Sequence, residues 1–356
     1  MKVLLDTAPL QNASSGRGIG AYTRELLKSL RELASIEHPL VLQATHELSQ
    51  PVIEPENEFD LIHYPYFDLF FETLPKTHKL PFIVTIHDVI PLLYPRQYPK
   101  GVKGSIRLWR QKKRVQQAAL IITDSEASKK GIQTKLGIPA QKIRVIPLAG
   151  NSQIKELSES QARRYAEKLD LPGKYIVYVG DINYNKNLPV LLLALTQLPD
   201  DLHLCVISRT FNNTEIPEGQ QLAKIIKNNN LSSRVHLLDI PADNPAAFSA
   251  VLRQSEALVQ PSLWEGFGLP VLEAMQAGAV VVSSNAGSLP EVVGDAGILV
   301  EPTLIGLVSG IEEAVKLRGE KRQALIEAGR QQTKKFSWQM TAQRTYQVYL
   351  EVLESL

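Results

Sequence analysis

Short apolar runs alternate with amphipathic stretches along the whole chain. The first set is VLLD (3–6), LVLQAT (40–45), FDLIHY (59–64), FIVTIHD (82–88), AALIITDS (118–125) and KIRVIPL (142–148). Within AYTRELLKSLREL (21–33), Tyr22, Leu26, Leu27, Leu30 and Leu33 recur at helical spacing and predict a helix with one apolar face. After a polar stretch (150–164) the rhythm restarts with YIVYVGD (175–181), LPVLLLALTQL (188–198), LHLCVIS (202–208), VHLLDI (235–240), ALVQPS (257–262) and AVVVSS (279–284). Strands of a parallel sheet read as continuous apolar runs because helices cover both faces. The pattern therefore predicts an α/β chain of two Rossmann-like, doubly wound domains, 1–155 and 156–335, and a final helix, 336–356, docked on other elements.

Composition narrows the class. With 356 residues, 44% of them hydrophobic, the chain is long enough for two cores. A net charge of only +2 excludes a dedicated nucleic-acid binder. The charge is uneven, however: Lys100, Lys103, Arg107, Arg110, Lys112, Lys113 and Arg114 stand in KGVKGSIRLWRQKKR with no acid among them. This run is either a solvated helix face or a contact for anionic lipid headgroups. Cys205 is the single cysteine, so an intrachain disulfide is excluded. No run approaches the roughly 20 apolar residues of a membrane span, and the start, MKVLLDTAPL, is broken by Asp6. The expectation is a cytoplasmic protein, peripheral on the inner membrane face if the basic run meets lipid.

Ligands of open parallel sheets bind beyond the carboxyl ends of the strands. Asp6, His63, His87, Asp88, Ser125, Asp181, Arg209 and Glu265 lie at such ends. The loop Gly16-x-Gly18-x-x-Ala21 opens a helix whose amides favour an anion. It departs from a dinucleotide fingerprint because ten residues separate it from Asp6. No phosphate loop of the G-x-x-x-x-G-K-[ST] type occurs and no two aspartates stand at i, i+2, so no divalent metal and no other cofactor is expected. In PSLWEGFGLPVLEAMQAG, Glu265 falls in a strand-to-helix loop and Glu273 inside the helix that Pro270 opens. Eight residues of helix span roughly 12 Å. Two carboxylates at that separation can hold hydroxyls at either end of one ligand, with glycine-loop amides and the helix N-terminus suited to phosphate between them. Ribose, pyrophosphate and hexose, a nucleotide sugar, meet that description. A two-carboxylate glycosidase, a dinucleotide-dependent oxidoreductase and a non-catalytic two-lobed sugar binder remain as rivals.

The motif EGFGLPVLE preceded by PS resembles the E-x7-E signature of retaining GT-B glycosyltransferases, family 4 in particular. GIGAYTRELL, TIHDVIPLLYP, YVGDINYNKN and SLPEVVGDAG resemble further family segments in the same order, so the resemblance spans nearly the whole chain. It implies two facing domains around a cleft, acceptor side first and nucleotide-sugar donor side second, with the final helix crossing back to the first. It also implies metal-independent transfer of a hexose, glucose or mannose, with retention, from a UDP- or GDP-sugar, UDP somewhat favoured. The acceptor would be a hydroxyl of a glycan or a lipid-linked intermediate. A nucleotide-sugar enzyme of this fold that is not a transferase is the remaining alternative. Residue by residue, the resemblance assigns Glu273 to the donor ribose, and Glu265 with the amides of Gly266, Phe267, Gly268 and Leu269 to the hexose. It assigns Gly18, Ile19 and Gly20 to the diphosphate, His87 with Asp88 beside it to the transferred sugar, and Lys186 to the leaving diphosphate. Two departures stand out. Asp181 and Asn185 occupy positions where the family often has cations, and Arg209 or Arg17 would have to compensate. Asp239, Ile240 and Pro241 replace the usual base-reading loop.

Overall fold

The computed structural model describes all residues except 12–17, 37–39, 48–57, 78, 155–156, 242 and 356. The chain divides into two compact units, Met1–Leu148 with Phe336–Leu356, and Ala149–Lys335.

In the first unit the described strands are β1 (Lys2–Leu5), β2 (Val41–Ala44), β3 (Leu61–Tyr64), β4 (Phe82–Thr85), β5 (Leu120–Thr123) and β6 (Ile143–Val145). They form one parallel sheet in the order β2-β1-β3-β4-β5-β6. The order reverses beside β1, which places a crevice at the carboxyl ends of β1 and its neighbours. Helix α1 (Gly18–Ile36) buries Tyr22, Leu26, Leu27, Leu30 and Leu33, the stripe that the spacing predicted. Helix α2 (Gly101–Val115) carries the basic run. Helix α3 (Glu126–Leu136) starts directly after β5; its N-cap, Ser125, accepts a hydrogen bond from the Ser128 amide, and Gly137 ends it at φ 71°.

The C-terminal helix Trp338–Glu354 belongs to this unit and packs on α1. Its Tyr349 hydroxyl meets His63 Nδ1 at 2.7 Å, and His63 Nε2 meets the Thr85 hydroxyl at 2.9 Å. Both ring nitrogens of the fully buried His63 are thus satisfied within the core. Burial, and secondly the charge of His87, lowers its pKa to about 3, so it stays neutral. His63 is a structural strand-end residue.

The second unit repeats the plan with β7 (Tyr175–Val179), β8 (His203–Ile207), β9 (Val235–Leu237), β10 (Leu258–Gln260), β11 (Val281–Ser284) and β12 (Ile298–Val300), parallel in the order β12-β11-β10-β7-β8-β9. Helix α4 (Leu188–Leu195) and helix α5 (Leu269–Gln276) follow β7 and β10. Leu188, Leu191, Leu192 and Leu195 are buried against Ile176, Tyr178 and Val206 of the sheet. This closes one face of β7 and β8 and leaves their carboxyl ends open to carry polar groups.

Tyr349→Phe removes the hydroxyl that satisfies His63 Nδ1 and leaves a buried polar atom without a partner. Chemical unfolding should show a loss of about 1–3 kcal/mol; an unchanged midpoint would mean that the hydrogen bond carries no stability.

Candidate active site

The candidate residues divide between the units. In the second, β10 ends at Gln260 and the chain runs through Pro261–Gly268 into α5. Gly268 sits at φ 108°, a conformation that favours glycine, and a Cβ there would come within 2.7 Å of Leu289. A Cβ at Gly287 would come equally close to the Glu265 peptide. No side chain caps α5; Pro270 brings no N–H and the Val271 and Leu272 amides bond Gly268 O, so of the first turn only the Leu269 amide stands outside the helical pattern.

The carbonyls of this loop are tied inward. The Asn185 side chain donates to Trp264 O at 3.0 Å, and that of Asn187 to Pro261 O and Pro302 O at 3.0 Å each. Ser288 donates to Phe267 O at 2.7 Å and Glu265 O at 3.1 Å, and the Ser284 hydroxyl bonds Ser262 O. Asn187 adopts the left-handed conformation (φ 57°), which asparagine tolerates better than most residues. The two asparagines flank Lys186 and so fix where its side chain begins.

Lys186 Nζ lies 2.7 and 2.9 Å from the two carboxylate oxygens of Glu265. Glu265 Oε1 also accepts from Ser262 Oγ at 2.6 Å and Gln260 Nε2 at 2.9 Å. The carboxylate is 7% exposed as a residue, and this cation with two neutral donors offsets its desolvation. The resemblance assigned Lys186 and Glu265 to different parts of a ligand; the structure puts them in contact. Gly266, Phe267, Gly268 and Leu269 form the turn between that pair and α5.

Glu273 lies in the second turn of α5 and is partly buried. Burial pushes its pKa up to about 7, against the Asn151 backbone N–H, which favours the charged form. Asp181, after β7, is exposed; its Oδ1 accepts from the Thr210 hydroxyl at 3.4 Å. That contact brings the segment after β8, with the exposed Arg209, alongside Asp181, so a cation enters the region from the neighbouring strand. Arg17, the other candidate, lies outside the described residues, as does Gly16. Asn185, at the second expected cation position, is buried and holds the loop. Ile240 follows β9 and is partly buried.

In the first unit Gly18, Ile19 and Gly20 form the opening turn of α1. One turn on, the Tyr22 ring meets His87 edge-on, with centroids 4.7 Å apart. The sequence paired His87 with its neighbour Asp88, and here the structure differs. His87 Nδ1 bonds Asp124 Oδ2 at 2.8 Å, whereas Asp88 Oδ1 accepts from the Ile90 amide at 2.9 Å and caps a short turn. An aspartate following a fully buried strand was the signal for Asp124, and a polar residue ending the apolar run ALVQ was the signal for Gln260.

The basic run also resolves. Arg114 is buried and donates to Leu74 O and Glu72, and Arg110 pairs with Glu72, so a distant acid neutralises part of the run. Lys100, Lys103, Arg107 and Lys113 are exposed beside Val102, Ile106 and Trp109, which are 79%, 47% and 57% exposed. Phe71, exposed as well, lies under Arg107, and Lys113 Nζ stands 3.9 Å from the Trp109 ring centre. No described helix is long and apolar enough to cross a membrane.

Two parallel α/β units of this kind have the fold of the GT-B class. Residues 159–332 match the family described as glycosyl transferases group 1 and residues 38–149 match glycosyltransferase family 4; the chain belongs to these family 4 glycosyltransferases and is an enzyme. It is 26% identical to O-antigen chain mannosyltransferase B of Escherichia coli across 98% of this chain and 99% of that protein. It is 27% identical to an MMP α-(1→4)-mannosyltransferase of Mycolicibacterium hassiacum across 76% of this chain and 65% of that one. Sucrose-phosphate synthase of Thermosynechococcus elongatus superposes with a TM-score of 0.76 at 20% identity over the whole of both chains, which establishes the fold.

Glu273 generates a stability prediction. Its folded pKa of about 7 lies above the ordinary 4.5, so the folded state keeps a proton that the unfolded chain releases. The stabilisation is complete below pH 4.5 and is lost as pH rises through about 7, by at most about 3 kcal/mol (about 7 less 4.5, at about 1.4 kcal/mol per unit). Urea unfolding of Glu273→Gln at several pH values should lack this fall; the same fall in the variant would assign it to another group.

Proposed function

We propose that the chain transfers a hexose, mannose before glucose, from a nucleoside diphosphate sugar to an acceptor hydroxyl in bacterial glycan synthesis, with retention of anomeric configuration. The observation that carries this is the Lys186–Glu265 pair held at the entrance to α5. A fixed cation beside a helix N-terminus stabilises the charge that develops on a departing diphosphate, and a preorganised group of this kind is typically worth a few kcal/mol of barrier. The same carboxylate that holds the lysine orients sugar hydroxyls, and Glu273 accepts from the ribose at the far end of the turn. Within the second unit the amides of Gly266 to Leu269 act with Glu265 on the hexose, Arg209 supplies the cation that position 181 lacks, and Ile240 belongs to the base side; within the first, Gly18–Gly20 offer amides to a diphosphate. The mannose preference follows the full-length E. coli relative, whose name specifies mannosyl transfer.

The acceptor is glycan or lipid-linked, and the exposed stripe Val102, Ile106 and Trp109, flanked by Lys103, Arg107 and Lys113, is proposed to meet an anionic membrane on its cytoplasmic side. A helix with apolar and aromatic groups on one face and cations around them lies in the lipid headgroup region, where each nearby cation contributes about 1 kcal/mol.

Release of free nucleotide should occur with one of UDP-glucose, UDP-mannose, GDP-glucose or GDP-mannose only when an acceptor is present, and should persist in EDTA. Lys186→Ala should lower kcat by about a hundredfold or more while changing donor affinity less; wild-type turnover in that variant would remove the lysine from the reaction. Sedimentation with vesicles rich in anionic lipid at low salt should carry the protein down, and Ile106→Asp with Trp109→Asp should abolish it without loss of turnover on a soluble acceptor. Equal sedimentation of both proteins would refute the membrane contact.

A further inference from the structure

His87 and Asp124 form a pair that the motif-based assignment does not contain. Asp124 is 3% exposed and follows β5 directly, where it joins the strand to the N-cap Ser125 of α3. Its Oδ2 lies 2.8 Å from His87 Nδ1, and the Ser128 hydroxyl donates to the His87 carbonyl at 2.8 Å, so both ends of the histidine are anchored to one corner. On the other side the Tyr22 ring abuts the imidazole edge-on, and the Tyr22 hydroxyl meets Thr85, which leads on to His63 and Tyr349. The imidazole therefore cannot turn without breaking contacts on two elements.

Two atoms of this corner are left over. Asp124 Oδ1 is buried without a hydrogen-bond partner, and His87 Nε2, also buried, makes no close hydrogen bond, although the Pro65 carbonyl faces the ring and favours its protonated form. Such atoms are rare in a folded core and are destabilising unless something completes them. The His87 side chain is 16% exposed, and because both nitrogens are covered the exposed part is carbon.

We propose that Asp124 is the positioning residue of His87: its carboxylate holds Nδ1–H, fixes the plane of the ring, and directs Nε2–H as a donor to a hydroxyl oxygen of the sugar being transferred. This rests on the reading of His87 as a sugar contact and adds to it the group that sets its charge and orientation. No bond to carbon is made or broken by the pair; the proton stays on the ring.

The electrostatics agree with the geometry. Burial by itself lowers the His87 pKa, but the Asp124 charge and hydrogen bond, then the Asp88 charge and the Pro65 carbonyl, outweigh it and raise the value. The groups facing the ring are Tyr22 from α1, His63 from β3, Asp88 from its own segment and Asp124 from beyond β5. Tyr22 is pushed far above its ordinary range by burial and His63 is neutral, so Asp124 and Asp88 are the charges that act. A reaction that needs Nε2–H declines as pH rises through the His87 value. Loss of the Asp124 charge lowers that value and moves the decline to more acid pH.

The test combines titration with kinetics. In the wild-type protein, the His87 NMR signal, assigned by its absence in His87→Gln, should titrate above the ordinary value of about 6.5. In Asp124→Asn, which keeps size and an acceptor but not the charge, it should titrate roughly one to three units lower. The alkaline limb of kcat should shift acidward by the same amount, with donor KM little changed. A wild-type His87 that titrates at or below about 6.5 overturns the proposal even if the variant fails to fold. So does an active Asp124→Asn enzyme whose alkaline limb does not move, while leaving hexose transfer intact. No turnover by the wild type on any donor would instead defeat the transferase reading, and the titration would still report on the pair.

Discussion

The carboxylate of Glu265 is a buried charge, and the surrounding unit is arranged to satisfy it. Lys186, Gln260 and Ser262 each donate to it, from the turn after β7, the last residue of β10 and the loop that follows. A buried carboxylate deprived of one such partner becomes costly, so these contacts constrain the backbone as well as the side chains. Asn185 and Asn187 then have a clear purpose. They hold the loop carbonyls away from the carboxylate and place the lysine between them. The device that stabilises the loop also delivers a cation to the entrance of α5, so stability and chemistry use the same group.

The two glutamates of the signature are therefore physically unlike. Glu265 is matched by a cation and two neutral donors, whereas Glu273 has the Asn151 amide and a low-dielectric setting that favours its proton. Glu265 is paired with a cation, while Glu273 sits near its titration point at neutral pH. An acceptor for ribose hydroxyls needs no permanent charge, so this division suits their proposed tasks. In the first unit the same logic recurs, with charge balanced locally: Asp124 serves His87, and Glu72 serves Arg110 and Arg114.

Much of this architecture was legible as apolar runs. Eleven strands were anticipated, because a strand covered on both faces has no polar positions to blur its signal. β12 was not: Ile298–Val300 stands in the short run GILVEP, and its pairing with β11 is what makes it a strand. The stripe of α1 was read correctly residue by residue because helical spacing is local. The loop-and-helix pattern likewise singled out Glu265 and Glu273, since a glycine loop followed by a helix N-terminus has a sequence signature of its own, whereas Lys186 came from the family resemblance and His87 from its strand end together with that resemblance.

Partnership across the sheet was not legible. That Lys186 would touch Glu265, seventy-nine residues away, depends on β7 and β10 being neighbours. That His87 would choose Asp124 over the adjacent Asp88 depends on the register of β4 against β5, which sets both residues at one edge. The basic run looked unopposed until the fold brought Glu72 to Arg114. The chain by itself determined which segments become strands and helices and which residue types stand at strand ends, because those follow from short-range periodicity. Which charges meet was decided only by tertiary structure, because an ion pair is a matter of distance in space and strand order is what sets that distance.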